Sequence, residues 1–305
     1  MIIEKYNIGI NAELIQYQGE TGTKNGPAKA VLLLPGGSYL YVSKREGEAV
    51  AYEFLRKGYT VFLLNYTTIG TILEKTKENY TRNDLYEYAM KLKDSDVIGS
   101  EFPNPLIEAA LSMKFIRENN HKFNIDSDHI GVVGFSAGGH LAASLGVHWN
   151  SQWLKERVGH ESYWFKPNFL VLGYPILDYE LNEEIANKRG SVDPNFKTMA
   201  SRVAFGAEIN PDLLHQATLR NHISEDTPPT FIWHTTGDRL VYVKNVLDFA
   251  DALETHQIEF ELHIFSGGEH GMSTATDIVG RENAEINKWV ELLFNWLNAH
   301  IKRDA

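Results

Sequence analysis

With 305 residues, 43% of them hydrophobic and 23% charged, the chain has the balance of an ordinary globular protein and is long enough to bury a core without covalent staples. It contains no cysteine, which excludes disulfides, thiolate nucleophiles and cysteine-ligated zinc. A formal net charge of −11 disfavours nucleic acid and anionic membrane surfaces as partners and says little about a neutral substrate.

The first residues, MIIEKYNIGINAELIQYQ, have no basic start followed by an apolar run and a small-residue cleavage site. No stretch approaches the roughly 20 apolar residues of a membrane span, so a cytoplasmic protein is expected. Alternation over 2–8 and 12–18 predicts a hairpin. AVLLL at 30–34 is short and wholly apolar, as in a strand buried on both faces. A helix over 46–57, ended by Gly58, and a buried strand over 59–64 follow. Residues 65–104 are polar and irregular, with a short helix over 84–92. A helix over 105–120 leads to a strand over 129–133, a glycine-rich turn and a small-residue helix over 137–147. A strand over 168–172 precedes residues 176–226, which lack periodicity and read as an insertion or cap. Strand 230–235, helix 242–254, strand 258–265 and a long amphipathic helix over 277–301 complete the chain. From residue 30 onward, strands and helices alternate. That implies an α/β fold: a mostly parallel sheet with helices on both faces, entered through an antiparallel hairpin, the layout of the α/β-hydrolase fold. No repeat or linker divides the chain, so residues 1–305 read as a single domain with insertions at 65–104 and 176–226.

The strongest chemical signal is Gly134-Phe135-Ser136-Ala137-Gly138, a G-x-S-x-G pattern set between an apolar strand and a helix. A nucleophile elbow turns so sharply that side chains beside the serine would clash, hence glycine on both sides. The turn lifts the hydroxyl clear of the sheet and puts the Ala137 N–H at a helix N-terminus, where it can meet a developing oxyanion. The plainer alternative is a glycine-rich turn that holds an ordinary serine.

A serine hydroxyl needs a base. Among 12 histidines, His270 stands out in Gly267-Gly268-Glu269-His270-Gly271, a loop just after the last predicted strand. His234 and His263 fall within predicted strands, and His140 and His148 on the helix after the elbow. The acid that orients the base is expected at the end of the preceding strand, where Thr235-Thr236-Gly237-Asp238 places Asp238; Asp178 is the alternative. A turn-capping aspartate would look the same. The second part of an oxyanion hole is expected after the first parallel strand, where Leu34-Pro35-Gly36-Gly37-Ser38-Tyr39 offers the Gly37 and Ser38 N–H groups. Nothing in this set calls for a metal or a cofactor, and no H-E-x-x-H helix is present.

PGGSYLYVS resembles the PGGGY-type oxyanion loop of the acetyl-xylan-esterase-like α/β-hydrolases, which are related to the hormone-sensitive-lipase group. The resemblance continues in order through EGEAVAYEFLRKGYTVFLLNY, NPLIEAALSMKFIREN, HIGVVGFSAGGHLAASLG, NFLVLGYPILD, TPPTFIWHTTGDRLVYV and GGEHGM, covering most of residues 30–275. It implies Ser136, Asp238 and His270 as nucleophile, acid and base, and cleavage of short acyl esters, including acetyl groups on xylose units. Two departures stand out: Ser38 occupies a position where glycine is usual, and Pro35 one where lipase relatives carry histidine.

The expected function is therefore that of a serine carboxylester hydrolase, with a small-molecule or oligosaccharide ester as substrate and an acidic limb of activity at about pH 6–7. Trp149, Trp153, Tyr163, Trp164, Phe165 and Tyr174 are candidates for stacking on sugar faces, against the alternative of ordinary core packing. Two rivals remain: a serine peptidase of the same fold, although no added domain is present, and a non-catalytic binding protein of hydrolase descent, although such proteins normally lose a triad residue.

Overall fold

The computed structural model describes residues 1–9, 11–19, 26–76, 80–91, 99–190, 194–206 and 210–301. Parts of the expected insertions at 65–104 and 176–226, and the last residue of the helix expected over 84–92, lie outside the described residues. The elements in chain order are β1 (Ile2–Ile8), β2 (Ala12–Gln18), β3 (Ala28–Leu34), α1 (Glu48–Leu55), β4 (Thr60–Asn65), α2 (Ile69–Thr76), α3 (Arg82–Lys91), α4 (Asn104–Glu118), α5 (Asn120–Phe123) and β5 (Ile125–Phe135). They continue with α6 (Ala137–His148), α7 (Gln152–Val158), β6 (Leu170–Gly173), α8 (Tyr179–Arg189), α9 (Pro194–Phe205), α10 (Pro211–Ala217), β7 (Thr230–Thr235), α11 (Lys244–Thr255), β8 (Phe260–Phe265) and α12 (Ala284–His300).

The strands form one 8-stranded sheet in the order β1-β2-β4-β3-β5-β6-β7-β8. The β1–β2 hairpin joins the sheet antiparallel to β4, and all pairings from β4 to β8 are parallel. From β3 the chain moves outward to β4, then returns past β3 to β5. The crevice between β3 and β5 is thus a switch point of the sheet, the place where open α/β sheets bind ligands beyond their carboxyl ends.

Strand side chains alternate between two apolar layers. Ala30, Leu32 and Leu34 of β3 join Phe62, Val132 and Leu172 beneath α4, α6 and α11, contributed by Met113, Leu141 and Phe249. Val31 and Leu33 join Val61, Val133, Phe135 and Trp233 beneath α1 and α12, contributed by Phe54, Trp289, Leu293 and Phe294. Both faces of the central strands are covered, which explains why they read as continuous apolar runs.

Several boundaries differ from the sequence expectation. The strand expected over 129–133 extends over Ile125–Phe135, because β5 pairs with β3 as far back as Ala28. The helix expected over 46–57 is shorter, Glu48–Leu55, after a 3-10 turn at Lys44–Glu46. The long last helix begins at Ala284, not near 277: the Asn283 side chain accepts the Glu285 and Ile286 N–H groups and fixes the start. Residues 277–279 form a separate 3-10 turn that ends at Gly280 in a left-handed conformation. The segments without clear periodicity contain helices α2, α8, α9 and α10, and they meet one another: α3 packs against α9, and the Phe102 N–H donates to the Ala204 carbonyl at 2.8 Å. No helix among the described residues is long and apolar enough to cross a membrane.

Candidate active site

Ser136 stands between the end of β5 and the start of α6, with φ 53° and ψ −119°. This is left-handed backbone outside the wells open to a non-glycine residue, and holding it costs on the order of 1–3 kcal/mol. The surroundings fix it: the Ser136 N–H donates to the Gly173 carbonyl at 3.0 Å, and its carbonyl accepts from the His140 N–H at 3.0 Å. A Cβ at Gly134 would lie 2.1 Å from the Gly138 carbonyl oxygen, and one at Gly138 would lie 2.1 Å from that of Leu34. The two flanking glycines are therefore required by contact, as the elbow pattern predicts.

From Ser136 a chain of hydrogen bonds runs through His270 to Asp238. Ser136 Oγ is 2.8 Å from His270 Nε2, and His270 Nδ1 is 2.7 Å from Asp238 Oδ2. The other Asp238 oxygen accepts the Leu240 and Val241 N–H groups, both at 2.9 Å. With an ionised Asp238 as acceptor, Nδ1 carries the proton and Nε2 is left to accept from the serine hydroxyl; this tautomer is assigned from the network.

The loops that carry Asp238 and His270 are stitched together. The Gly237 N–H donates to the Gly267 carbonyl at 2.8 Å, and the Gly267 N–H donates to Thr236 Oγ1 at 3.0 Å. A side chain at Gly237 would run into the Gly268 carbonyl.

Electrostatics in the chain are set by competing effects. Burial opposes the Asp238 charge, but the His270 imidazole, with lesser help from His234 and the Val241 N–H, outweighs it, and the carboxylate sits below its ordinary range. Burial also opposes the His270 charge. Asp238, through charge and hydrogen bond, and Glu46, through charge, outweigh that and the opposing Arg45, so His270 is held above its ordinary value.

The other histidines have different partners. His140 is fully buried, with Nδ1 2.8 Å from the Tyr39 hydroxyl and Nε2 3.1 Å from the Ala217 carbonyl; burial pushes it down to about 4. His148 contacts the Gln216 carbonyl and is pushed down to about 3 by burial. His234 is buried within β7, and His263 pairs with Glu261 at 2.6 Å. The alternative acid, Asp178, caps α8 by accepting the Leu181 N–H at 2.9 Å and pairs with Arg220.

The loop after β3 lies against the elbow. A Cβ at Gly36 would sit 2.9 Å from that of Ser136. Gly37, Ser38 and Tyr39 follow with φ of 125°, 58° and 58°. Three consecutive left-handed residues, two of them not glycine, need outside support, and several groups give it. The Leu40 and Tyr41 N–H groups donate to the Gly37 carbonyl at 3.0 and 3.2 Å. The Tyr66 hydroxyl donates to the Pro35 carbonyl at 2.7 Å, and the Tyr39 hydroxyl reaches His140. Among the described residues, no hydrogen bond to protein involves the Gly37, Ser38 or Ala137 N–H. Ala137 directly follows Ser136, and Gly37 and Ser38 follow Gly36, whose Cβ position lies against Ser136.

Sequence reasoning missed Glu46 here and gave Tyr174 a different role, that of a sugar-stacking candidate. Glu46, in the 3-10 turn after this loop, is 3% exposed and accepts the Gly36 N–H at 2.7 Å. Its other oxygen accepts the Tyr174 hydroxyl at 2.7 Å, and the Tyr174 ring stands edge-on to His270 with centroids 5.2 Å apart. In sequence, Glu46 lies in the charged run KREGE and looks like part of a solvated face.

Of the candidates for sugar stacking, Trp149, Phe165 and Tyr174 are buried, which corrects that expectation for those three. Phe165 and Tyr174 are core. The carbonyls of Tyr163 and Trp164 are held by Arg117, which also binds the Ser127 carbonyl, at the end of β5 remote from Ser136. Trp149 caps the far end of α6 and donates to the Asp226 carbonyl, and Trp153 packs on His148.

Comparison with known proteins bears on the family and the fold. A family model described as BD-FAE matches residues 87–253, more than half of the chain. The chain is 29% identical over 248 residues to endo-1,4-beta-xylanase B of Butyrivibrio fibrisolvens, covering 81% of this chain and 33% of that protein. It is 25% identical over 258 residues to an acetylxylan esterase of Xylanibacter ruminicola, covering 83% and 43%. It thus spans less than half the length of these curated relatives. Among solved structures, an acetyl ester-xyloside bifunctional hydrolase from Caldicellulosiruptor lactoaceticus matches with a TM-score of 0.71 and 28% identity, over 95% of this chain and 89% of the other. An α/β hydrolase from a deep-sea metagenome library matches with a TM-score of 0.67 and 26% identity, over 98% and 97%. The fold is the α/β-hydrolase fold.

Proposed function

The chain belongs to the BD-FAE family, and on that premise we propose that it is a serine carboxylester hydrolase acting on short acyl esters, with acetylated xylo-oligosaccharides as the favoured substrate class. The observation that carries the proposal is the hydrogen-bonded chain Ser136–His270–Asp238, headed by a serine held in strained backbone beside unused N–H donors. Acetyl as the acyl group and xylose units as the alcohol are supported by relatives named as an acetylxylan esterase, a xylanase and an acetyl ester-xyloside hydrolase.

In the proposed mechanism, His270 Nε2 takes the Ser136 proton as Oγ attacks the acyl carbon. Asp238 keeps the imidazole in its tautomer and stabilises the imidazolium. The Ala137, Gly37 and Ser38 N–H groups are the proposed donors to the oxyanion, a role supported by their lack of protein partners among the described residues. The imidazolium returns its proton to the departing alkoxide, leaving an acyl-enzyme. Water then gives a proton to His270 and attacks the acyl carbon, and the carboxylic acid leaves as Ser136 is restored. The chain is read as one hydrolase domain, in which the insertions that contain helices α2, α3, α8, α9 and α10 select the alcohol.

A panel of 4-nitrophenyl esters tests the acyl preference. Acetyl and propionyl esters are expected to turn over faster than octanoyl, and acetylated xylo-oligosaccharides to release acetate. A rate that climbs steadily to eight carbons would reject the short-acyl assignment.

A further inference from the structure

A buried carboxylate beside an oxyanion site needs a reason to be there. Its charge repels the oxygen that the site must stabilise, and removing it from water is costly unless donors replace the lost hydration. Glu46 meets this condition with two donors that belong to different parts of the site. The Gly36 N–H, at 2.7 Å, comes from the loop that presents Gly37 and Ser38. The Tyr174 hydroxyl, also at 2.7 Å, comes from the end of β6.

That hydroxyl in turn accepts the Ser273 N–H at 2.9 Å, just beyond His270. The Ser273 hydroxyl donates to the Arg45 carbonyl at 2.7 Å and closes the ring back onto the residue next to Glu46. Arg45 adds a guanidinium contact to the Gly271 carbonyl at 3.2 Å. Tyr174 is itself held at φ 38°, with its N–H on the Trp233 carbonyl at 2.8 Å. A bulky residue in left-handed backbone is uncommon and persists only where the surroundings demand it.

We propose that Glu46 is a positioning residue, which through Tyr174 clamps the Gly36–Ser38 loop and the His270 loop into one register across Ser136. The proposal rests on the ester-hydrolase reading of that site. The clamp reconciles the charge with its location. The imidazolium forms in the same step as the oxyanion, and a negative charge near both favours the former while the N–H groups it orients stabilise the latter. The groups that face His270 are Asp238 after β7, His234 on β7, Glu46 and Arg45 after β3, and the Tyr174 phenol after β6. Of these, Asp238 and Glu46 favour the charged imidazole, and Arg45 and burial oppose it.

The test compares Glu46→Gln, Glu46→Ala and Tyr174→Phe with wild type and Ser136→Ala, using 4-nitrophenyl acetate hydrolysis and amide hydrogen exchange at Gly36 and Ser273. Glu46→Gln keeps an acceptor for Gly36 but loses the charge, so the acidic limb of kcat/KM moves to lower pH. Glu46→Ala is expected to lose kcat by about 10²-fold, on the scale of a lost oxyanion donor, with little change in KM. Tyr174→Phe lowers kcat too. The double variant Glu46→Ala/Tyr174→Phe is no worse than Glu46→Ala alone, as expected for two residues acting as one unit.

Exchange speeds up at both Gly36 and Ser273 in Glu46→Ala. If that variant does not fold, Glu46→Gln and Tyr174→Phe carry the test, since both preserve shape. Wild-type kcat and an unmoved acidic limb in Glu46→Gln and Tyr174→Phe, or exchange loosened at Gly36 without Ser273 in Glu46→Ala, would overturn the clamp. Should wild type hydrolyse no better than Ser136→Ala, the ester reading fails instead. The exchange data then judge the clamp alone: joint loosening supports it and unchanged protection rejects it.

Discussion

At the scale of single residues, the central question is how His270, as the proposed base, is neutral at working pH. A general base must be neutral before it acts, so activity falls as pH drops through its pKa. Burial alone would lower that pKa, but Asp238, joined by Glu46, raises it above the ordinary imidazole value of about 6.5. The acidic limb of kcat/KM is therefore expected to have its midpoint above about 6.5, in the upper part of the range read from sequence or beyond it. A pH–rate profile with a midpoint well below pH 6 would contradict this balance of charges. Ser136, Asp238 and His270 were legible as candidates because each sits in a local pattern at the end of an apolar run. Glu46 was not, and Tyr174 was legible only as an aromatic that could stack on a sugar. Their partnership spans 128 positions and exists only once β3 and β6 flank β5. No local spacing encodes it.

At the scale of elements, the core strands and the last helix were readable because their burial is simple. β3 and β5 are covered on both faces and read as apolar runs, while α12 buries one stripe and reads as amphipathic. Helices α2, α8, α9 and α10 escaped notice. Some of their boundaries depend on side-chain caps such as Asp178 and Asn210, residues that are equally common in turns. α12 also serves the site. Its Trp289 stacks on Trp233 at 5.1 Å and 13°, meets Phe135 edge-on, and donates to the Ser273 carbonyl at 2.9 Å. Removing this side chain leaves a large cavity beneath the elbow and frees the His270 loop. Trp289→Ala is expected to cost about 3–5 kcal/mol of stability, measured as a lower urea midpoint at unchanged slope. A loss below about 1 kcal/mol, the size of a tolerated hydrophobic swap, would mean that the stack is not a keystone of this layer.

At the scale of the whole molecule, strand order does the decisive positioning. A mostly parallel sheet was legible from the alternation of strand and helix, but the order β4-β3-β5-β6-β7-β8 was not, since alternation does not say on which side each strand returns. That order sets the Ser136 elbow between the β3 loop and β6, and lets the loops after β7 and β8 bring Asp238 and His270 together from far along the chain. The meeting of α3 with α9, from two segments that looked patternless, was equally invisible, because it depends on chain return rather than local period. The central claim is that Ser136 is the nucleophile of an acyl-enzyme mechanism. Its most direct test is mass spectrometry of fluorophosphonate-treated protein, run beside acetyl ester hydrolysis by wild type and Ser136→Ala. The account predicts one adduct, on Ser136, and a loss of turnover of about 10³-fold or more in a folded Ser136→Ala variant. Near-wild-type turnover by that variant, or an adduct elsewhere that accounts for inhibition, would contradict it.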